Sequence, residues 1–221
     1  MFAPCRTGLN KSDKGVLDQS ETAPMPPIPA PMPPSANFWL IRHAPSLDGG
    51  AMAGRRDVDA DCRNSAGFTA LSRRVGLAAQ DRLFTSPALR CQQTAAALFG
   101  RTGQPAPALW EQDFGAWEGL AYADLPDLGT KTLPELAAFT PPQGESFADV
   151  AARVGPWLMG CAAGRHVVVA HAGVIRAALG MALEATHLGL GFVISPLSLT
   201  CISRDMASGA WAVHSVNWTM P

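Results

Sequence analysis

The sequence predicts a three-layer α/β/α sandwich around a largely parallel sheet. From residue 38 onward, short apolar or β-branched runs alternate with helical patterns. This is the order expected of a sheet covered on both faces. The run HVVVA (166–170) is continuous and β-branched, as a central strand buried on both sides must be. The helical stretches also carry their own start and stop residues, most clearly from Ser86-Pro87 to Gly100, where a polar cap and a proline open a helix that glycine closes.

Residues 1–37 differ from the rest. Seven prolines fall between Pro24 and Pro34, and Phe2 is the only aromatic residue of the segment. Such a stretch has nothing to bury and is expected to be a disordered, polyproline-like tail ahead of a domain over 38–221. The first strand is FWLI (38–41), ending at Arg42-His43-Ala44-Pro45. A loop rich in Gly and Asp follows over 46–62, then a short amphipathic helix around 66–75. RLFTS (82–86) reads as the second strand, leading into the helix that Ser86 caps, with Pro87 as its first residue. ALW (108–110) is a third short strand. Ser146 with Asp149 three residues on forms a capping box for the next helix, which Pro156 is expected to break or kink. After HVVVA, His171-Ala172-Gly173 turns into a helix over 173–183, and strands near 198–203 and 211–217 finish the domain.

Composition narrows the function. The chain has 221 residues, is 48% hydrophobic and 16% charged, and carries a net charge of −1. A near-neutral balance argues against a general nucleic-acid or membrane-surface partner. The cations are fourteen Arg and three Lys, a bias toward the side chain whose donor fork fits phosphate and carboxylate. No apolar run reaches membrane-spanning length, and the first fifteen residues hold no secretory core. The five cysteines are widely spaced, with no Cys-x-x-Cys pair. Free thiols and a cytoplasmic location are the expectation.

Open α/β sheets bind ligands at the carboxyl ends of their strands, and the chemistry-bearing residues fall there. Arg42 and His43 end the first strand, and His171 ends the central one just before a helix. Arg90 lies in the first turn after the second strand, where the helix dipole disfavours a cation unless an anion is shared with the helix N–H groups. Two Arg, two His and two helix starts could converge on one dianion, for which phosphate fits. Glu111, after the third apolar run and before Gly115 and Gly119, adds a carboxylate. Arg55, Arg56, Asp57, Asp59 and Asp61 are candidates for lining the substrate entrance, and Trp110, Trp117, Tyr122 and Phe139 for a lid. Cys91 reads as a small buried residue, and His166, His187 and His214 show no ligand spacing.

In order along the chain stand Arg42-His43-Ala44, Ser86-Pro87-x-x-Arg90-x-x-x-Thr94-Ala95, the Glu-x-x-Phe-Gly-x-Trp-Glu-Gly segment (111–119), Gly-Glu-Ser (144–146) and His171-Ala-Gly-Val-Ile-Arg176. Together they resemble the histidine phosphatase superfamily, also called phosphoglycerate-mutase-like, from about Phe38 to Asn217. The resemblance implies that His43 is a phosphorylated nucleophile. Arg42, Arg90, His171 and the backbone at Ala172 would surround the phosphate, and Glu111 would be the proton donor. Ser46 and Arg55 are expected to touch the rest of the substrate. Mutase members continue after the nucleophile with Gly-Glu-Thr, whereas this chain has Ala44-Pro45-Ser46. The 111–119 segment is closer to phosphatase members, alpha-ribazole phosphatases among them.

The expectation is therefore a metal-independent phosphomonoesterase without cofactor, monomeric or homodimeric, acting on a small phosphomonoester such as alpha-ribazole 5′-phosphate. Phosphoglycerate-mutase-type transfer, or a non-catalytic phosphate-binding scaffold, are the alternatives. Neighbouring Arg42 and Arg90 should keep His43 neutral and nucleophilic.

Overall fold

The computed structural model describes residues 34–220, so the prolines before Pro34 and the expected disorder over residues 1–33 lie outside the described residues. Strand β1 spans Ser35–Arg42, β2 Arg82–Thr85, β3 Gln104–Pro105, β4 Gly164–Ala170, β5 Leu199–Asp205 and β6 Trp211–Trp218. They form one sheet in the order β3-β2-β4-β1-β5-β6. β3, β2, β4 and β1 pair in parallel, and β5 runs antiparallel to both β1 and β6. The helices are α1 Ser65–Val75, α2 Leu89–Phe99, α3 Leu133–Ala138, α4 Phe147–Gly160 and α5 Ala172–Ala182.

Alternation along the strands separates the two outer layers. Val167 and Val169 of β4 join Ile41 of β1 in a core closed by Phe68 and Leu71 of α1 and Cys91, Ala95 and Leu98 of α2. Val168 and Ala170 point the other way, with Phe38 and Leu40, against Val150 and Val154 of α4 and Val174, Ile175 and Ala178 of α5. Period-two burial of this kind requires apolar residues at every position of a central strand.

Several boundaries differ from the sequence expectation. β1 begins at Ser35, three residues before 38, because Ser35 to Asn37 pair through backbone with β5, and Ala36 and Asn37 also with β4. The apolar run 108–110 is not a strand. Pro107–Leu109 forms a 3-10 turn that buries Leu109, and the short strand lies earlier, at Gln104–Pro105. Proline at 107 presets the turn and removes a ladder donor. The capping box of α4 is present, Ser146 accepting from Asp149 N–H and Asp149 accepting from Ser146 N–H. Pro156 does not end that helix, which continues to Gly160. Ala152 and Pro156 both lie on its exposed face, where the carbonyl deprived of an intrahelical partner can bond to water. Among the described residues, no helix is long and apolar enough to cross a membrane.

Candidate active site

The parallel strands deliver their following residues to one edge of the sheet. His43 N–H donates to Ala170 O at 2.9 Å, extending the β1–β4 ladder by one residue. Its imidazole is buried, and Nδ1 lies 2.6 Å from Ala44 O. A carbonyl only accepts, so Nδ1 carries the proton and the lone pair sits on Nε2. Arg90 Nε donates toward that atom at 3.4 Å. Burial, then the Arg90 charge and more weakly Arg42, push the His43 pKa down to about 3 against the opposing pull of Ala44 O. The ring is neutral near pH 7.

Arg90 is the hub. It is 1% exposed. Nη1 donates to Arg56 O at 2.9 Å, and Nη2 donates to Gly54 O at 2.7 Å and lies 3.2 Å from His171 Nδ1. A guanidinium only donates, so His171 Nδ1 holds a lone pair and the proton is on Nε2, which donates to Ser86 Oγ at 2.7 Å. Burial and the Arg90 charge hold His171 well below the usual imidazole range. The two imidazoles lie edge to face, centroids 5.1 Å apart. Among the described residues, no carboxylate is paired with Arg90. Arg42 donates from Nη1 to Ile194 O at 2.6 Å, and its buried Nε has no partner among the described residues.

Glu111 completes the group from the loop after the 3-10 turn. Its Oε1 accepts from Gln112 N–H at 3.0 Å, and its Oε2 lies 3.4 Å from Gly173 N–H in the first turn of α5. A Cβ at position 173 would sit 2.3 Å from Glu111 Oε1, so only glycine lets the carboxylate this close. Ala172 opens α5, which places its N–H among the first-turn donors that no intrahelical carbonyl reaches. Arg42, His43, Arg90, Glu111, His171 and the head of α5 thus gather at one place.

The two substrate candidates are held differently. Arg55 is committed to Asp113 and Glu145, at 3.6 and 3.1 Å. Ser46 pairs with Ala60 in an isolated bridge, and among the described residues no side-chain hydrogen bond joins it to the cluster. The 54–61 loop is largely a fastening. Asp57 Oδ1 accepts Leu89 N–H at 2.7 Å, and Asp59 accepts from Gln93, whose own Oε1 accepts Ala60 N–H. Gly54 takes φ 51°, and Glu118 fills the space where its Cβ would stand.

Ser86 is not the cap of α2, which starts at Leu89 without a side-chain cap from its own N-cap residue, Ala88. Its Oγ accepts Ala88 N–H at 3.3 Å, just ahead of the helix, and also accepts from His171 Nε2, a role that sequence reasoning missed. Thr94 was also missed: it donates to Arg90 O and accepts Ala44 N–H at 3.0 Å, tying α2 to the nucleophile's backbone. Its place in the Ser-Pro-x-x-Arg-x-x-x-Thr pattern was the available signal. Of the lid candidates, Trp110 packs into the α1/α2 core and Trp117 stacks on Phe139. Tyr122 is 58% exposed and within electrostatic reach of Arg42 and Glu111. Cys91 is buried, its Sγ 3.5 Å from His171 Nε2, with its thiol pKa pushed up by burial.

Known proteins share this fold. Bifunctional protein Rv2228c of Mycobacterium tuberculosis is 34% identical over 160 residues, covering 67% of this chain and 43% of that protein. The chain thus spans less than half the length of the curated relatives it matches. TTHB049 from Thermus thermophilus superposes with a TM-score of 0.62 at 27% identity, over 81% of this chain and 99% of that one. The mycobacterial glucosyl-3-phosphoglycerate phosphatase Rv2419c gives 0.68 at 25% identity, over 84% and 100%. The alpha-ribazole phosphatase from Shigella flexneri gives 0.69 at 19% identity, over 82% and 96%, a likeness of fold. The sequence profile of the histidine phosphatase superfamily (branch 1) matches residues 38–219. With the profile spanning well over half of the chain, the chain belongs to the histidine phosphatase superfamily.

Proposed function

We propose that the chain is a phosphomonoesterase that works through a phosphohistidine at His43. The observation that carries this reading is Arg90, a buried guanidinium set between two neutral imidazoles with no carboxylate paired to it among the described residues. An unpaired buried cation is costly, and a phosphoryl dianion would relieve it. The partnerless Nε of Arg42 and the N–H groups at the head of α5 supply further donors.

In the first step the Nε2 lone pair of His43 attacks phosphorus, and the bond to the ester oxygen breaks. Glu111, in its protonated form, gives its proton to the leaving alkoxide. Arg42, Arg90 and the α5 N–H groups neutralise the equatorial oxygens as charge shifts. In the second step the Glu111 carboxylate takes a proton from water, the oxygen of that water attacks phosphorus, and the phosphorus–nitrogen bond breaks. Phosphate leaves, and both His43 and Glu111 return to their starting forms. Every proton and charge in this cycle is handled by the chain's own residues. Alpha-ribazole 5′-phosphate and glucosyl-3-phosphoglycerate are the first substrates to assay, on the names of the structural neighbours. The first of these would place the enzyme in cobalamin synthesis, and the free thiols of the described residues fit a cytoplasmic setting.

Brief exposure to labelled phosphomonoester should trap label that survives base and is lost in acid, as phosphohistidine requires. His43→Ala should carry none. Label found on any other residue would overturn the mechanism.

A further inference from the structure

We propose that Arg153 and Glu145 form a clamp that aims the Glu111 carboxyl at the leaving oxygen, which makes both of them positioning residues. The proposal rests on the reading of Glu111 as the proton donor, and gives a purpose to the Gly-Glu-Ser motif that the chemistry leaves unused.

The segment carrying Glu111 is a loop, and no sheet pairing holds it. Its backbone is gripped from α4 instead. Arg153 Nη1 donates to Ala108 O at 2.7 Å and Nη2 to Glu111 O at 3.1 Å. The same guanidinium takes Glu145 on its other side, Nη2 to Oε1 at 2.8 Å and Nε to Oε2 at 3.3 Å. Glu145 in turn accepts Asp113 N–H on Oε1 at 3.0 Å, while Gln112 Nε2 donates to Glu145 O at 2.8 Å. The carbonyl of Glu111 is therefore fixed directly, and Ala108 before it and Gln112 and Asp113 after it are held as well.

The clamp has a firm base. Ser146 and Asp149 cap α4 reciprocally, which sets Glu145 just ahead of the helix and Arg153 two turns along it. Arg55 adds a third donor to Glu145 at 3.1 Å from the loop whose carbonyls orient Arg90. One carboxylate thus links the loop that aims the acid to the loop that aims the phosphate-facing arginine. Burial alone would raise the Glu145 pKa, but Arg153 and Asp113 N–H bring it below the usual range. A planar donor fork serving three acceptors is not replaced by lysine.

The readout is the dependence on leaving group. An alkyl alkoxide needs the proton that Glu111 supplies, and p-nitrophenolate does not. Single-turnover phosphorylation of His43 is measured with both esters, in a double-mutant cycle with Glu111→Ala. Glu111→Ala should slow the alkyl ester by about 10²–10⁴-fold and the nitrophenyl ester little. Arg153→Gln should slow the alkyl ester on the order of 10²-fold, the effect of a small misplacement. It should leave the nitrophenyl ester nearly unchanged and add nothing in the Glu111→Ala background.

Equal loss with both esters in Glu111→Ala would remove the acid assignment itself, and the clamp with it. If Glu111→Ala discriminates and Arg153→Gln does not, or if the two losses multiply, the clamp alone is overturned. Should Arg153→Gln fail to fold, Glu145→Gln carries the same cycle. If neither folds, the pair is a structural brace and the proposal falls.

Discussion

Gly173 shows how one missing carbon can separate stability from activity. Its N–H faces Glu111 Oε2, and an added Cβ would fall 2.3 Å from Oε1. The obstructed atom is the free end of a side chain, so the fold can yield at little cost by moving that carboxylate. Alanine is also the better helix former, by as much as roughly 1 kcal/mol in a helix interior. Gly173→Ala should therefore unfold no earlier than the wild type while losing alkyl-phosphate turnover on the order of 10²-fold. Thermal denaturation and steady-state assays on one preparation test this together. A clear drop in melting temperature, or unchanged turnover of alkyl esters, would show that the carboxylate does not need this approach. The histidine tautomers follow the same residue-scale logic. Ala44 O and Arg90 each admit only one protonation pattern on the ring nitrogen they face, so His43 offers Nε2 and His171 offers Nδ1 to the centre of the site.

At the scale of elements, α2 marks where local sequence stops being informative. Ser86-Pro87 has the form of a cap followed by a first helical residue, yet the helix starts at Leu89 and the carboxylate on its first N–H is Asp57, 32 residues upstream. A cap delivered from another loop leaves no trace in the local window. Asp57→Ala should cost about 0.5–2 kcal/mol in denaturant unfolding and weaken inhibition by inorganic phosphate, since the loop it anchors aims Arg90. Asp57→Asn keeps an acceptor and should recover most of the stability. An Asp57→Ala variant as stable as wild type would mean that the contact is incidental. By contrast, the capping box of α4, the glycine end of α2 and the run of β4 were legible, because each is written within a few adjacent residues. Arg42, His43, Arg90 and His171 were legible because strand ends and helix starts locate them. Arg153 was not, since its contacts lie 8 to 45 residues away in sequence.

For the molecule as a whole, the arrangement that builds the site also sets its response to acid. Because β3, β2, β4 and β1 are parallel, Glu111, Ser86, His171 and His43 all follow strands that finish at one edge. The two histidines are buried there around a guanidinium. Burial first, and then the Arg90 charge, lower the pKa of both, that of His43 to about 3 from an ordinary 6.5. The folded protein then holds them neutral at a pH where the unfolded chain has begun to protonate them. Well above pH 6.5 neither state binds these protons, and stability is flat with respect to them. Below it the unfolded chain takes up more protons, so stability falls as pH falls toward the folded value. The slope is at most about 1.4 kcal/mol per pH unit for each group. Between pH 6.5 and 5 the depressed carboxylates of Asp81 and Glu145 stay ionised in both states to a first approximation, which leaves the histidines to dominate. His166, also lowered by burial, adds to the slope in every variant. Urea unfolding at pH 7.5, 6.5, 5.8 and 5.0 should show a flat region and then a decline for wild type. The decline should be shallower in His43→Asn, by up to about 1.4 kcal/mol per unit. Parallel curves for the two proteins across that window would show that His43 is not held neutral in the fold, and its role as an unprotonated nucleophile would lose its electrostatic basis.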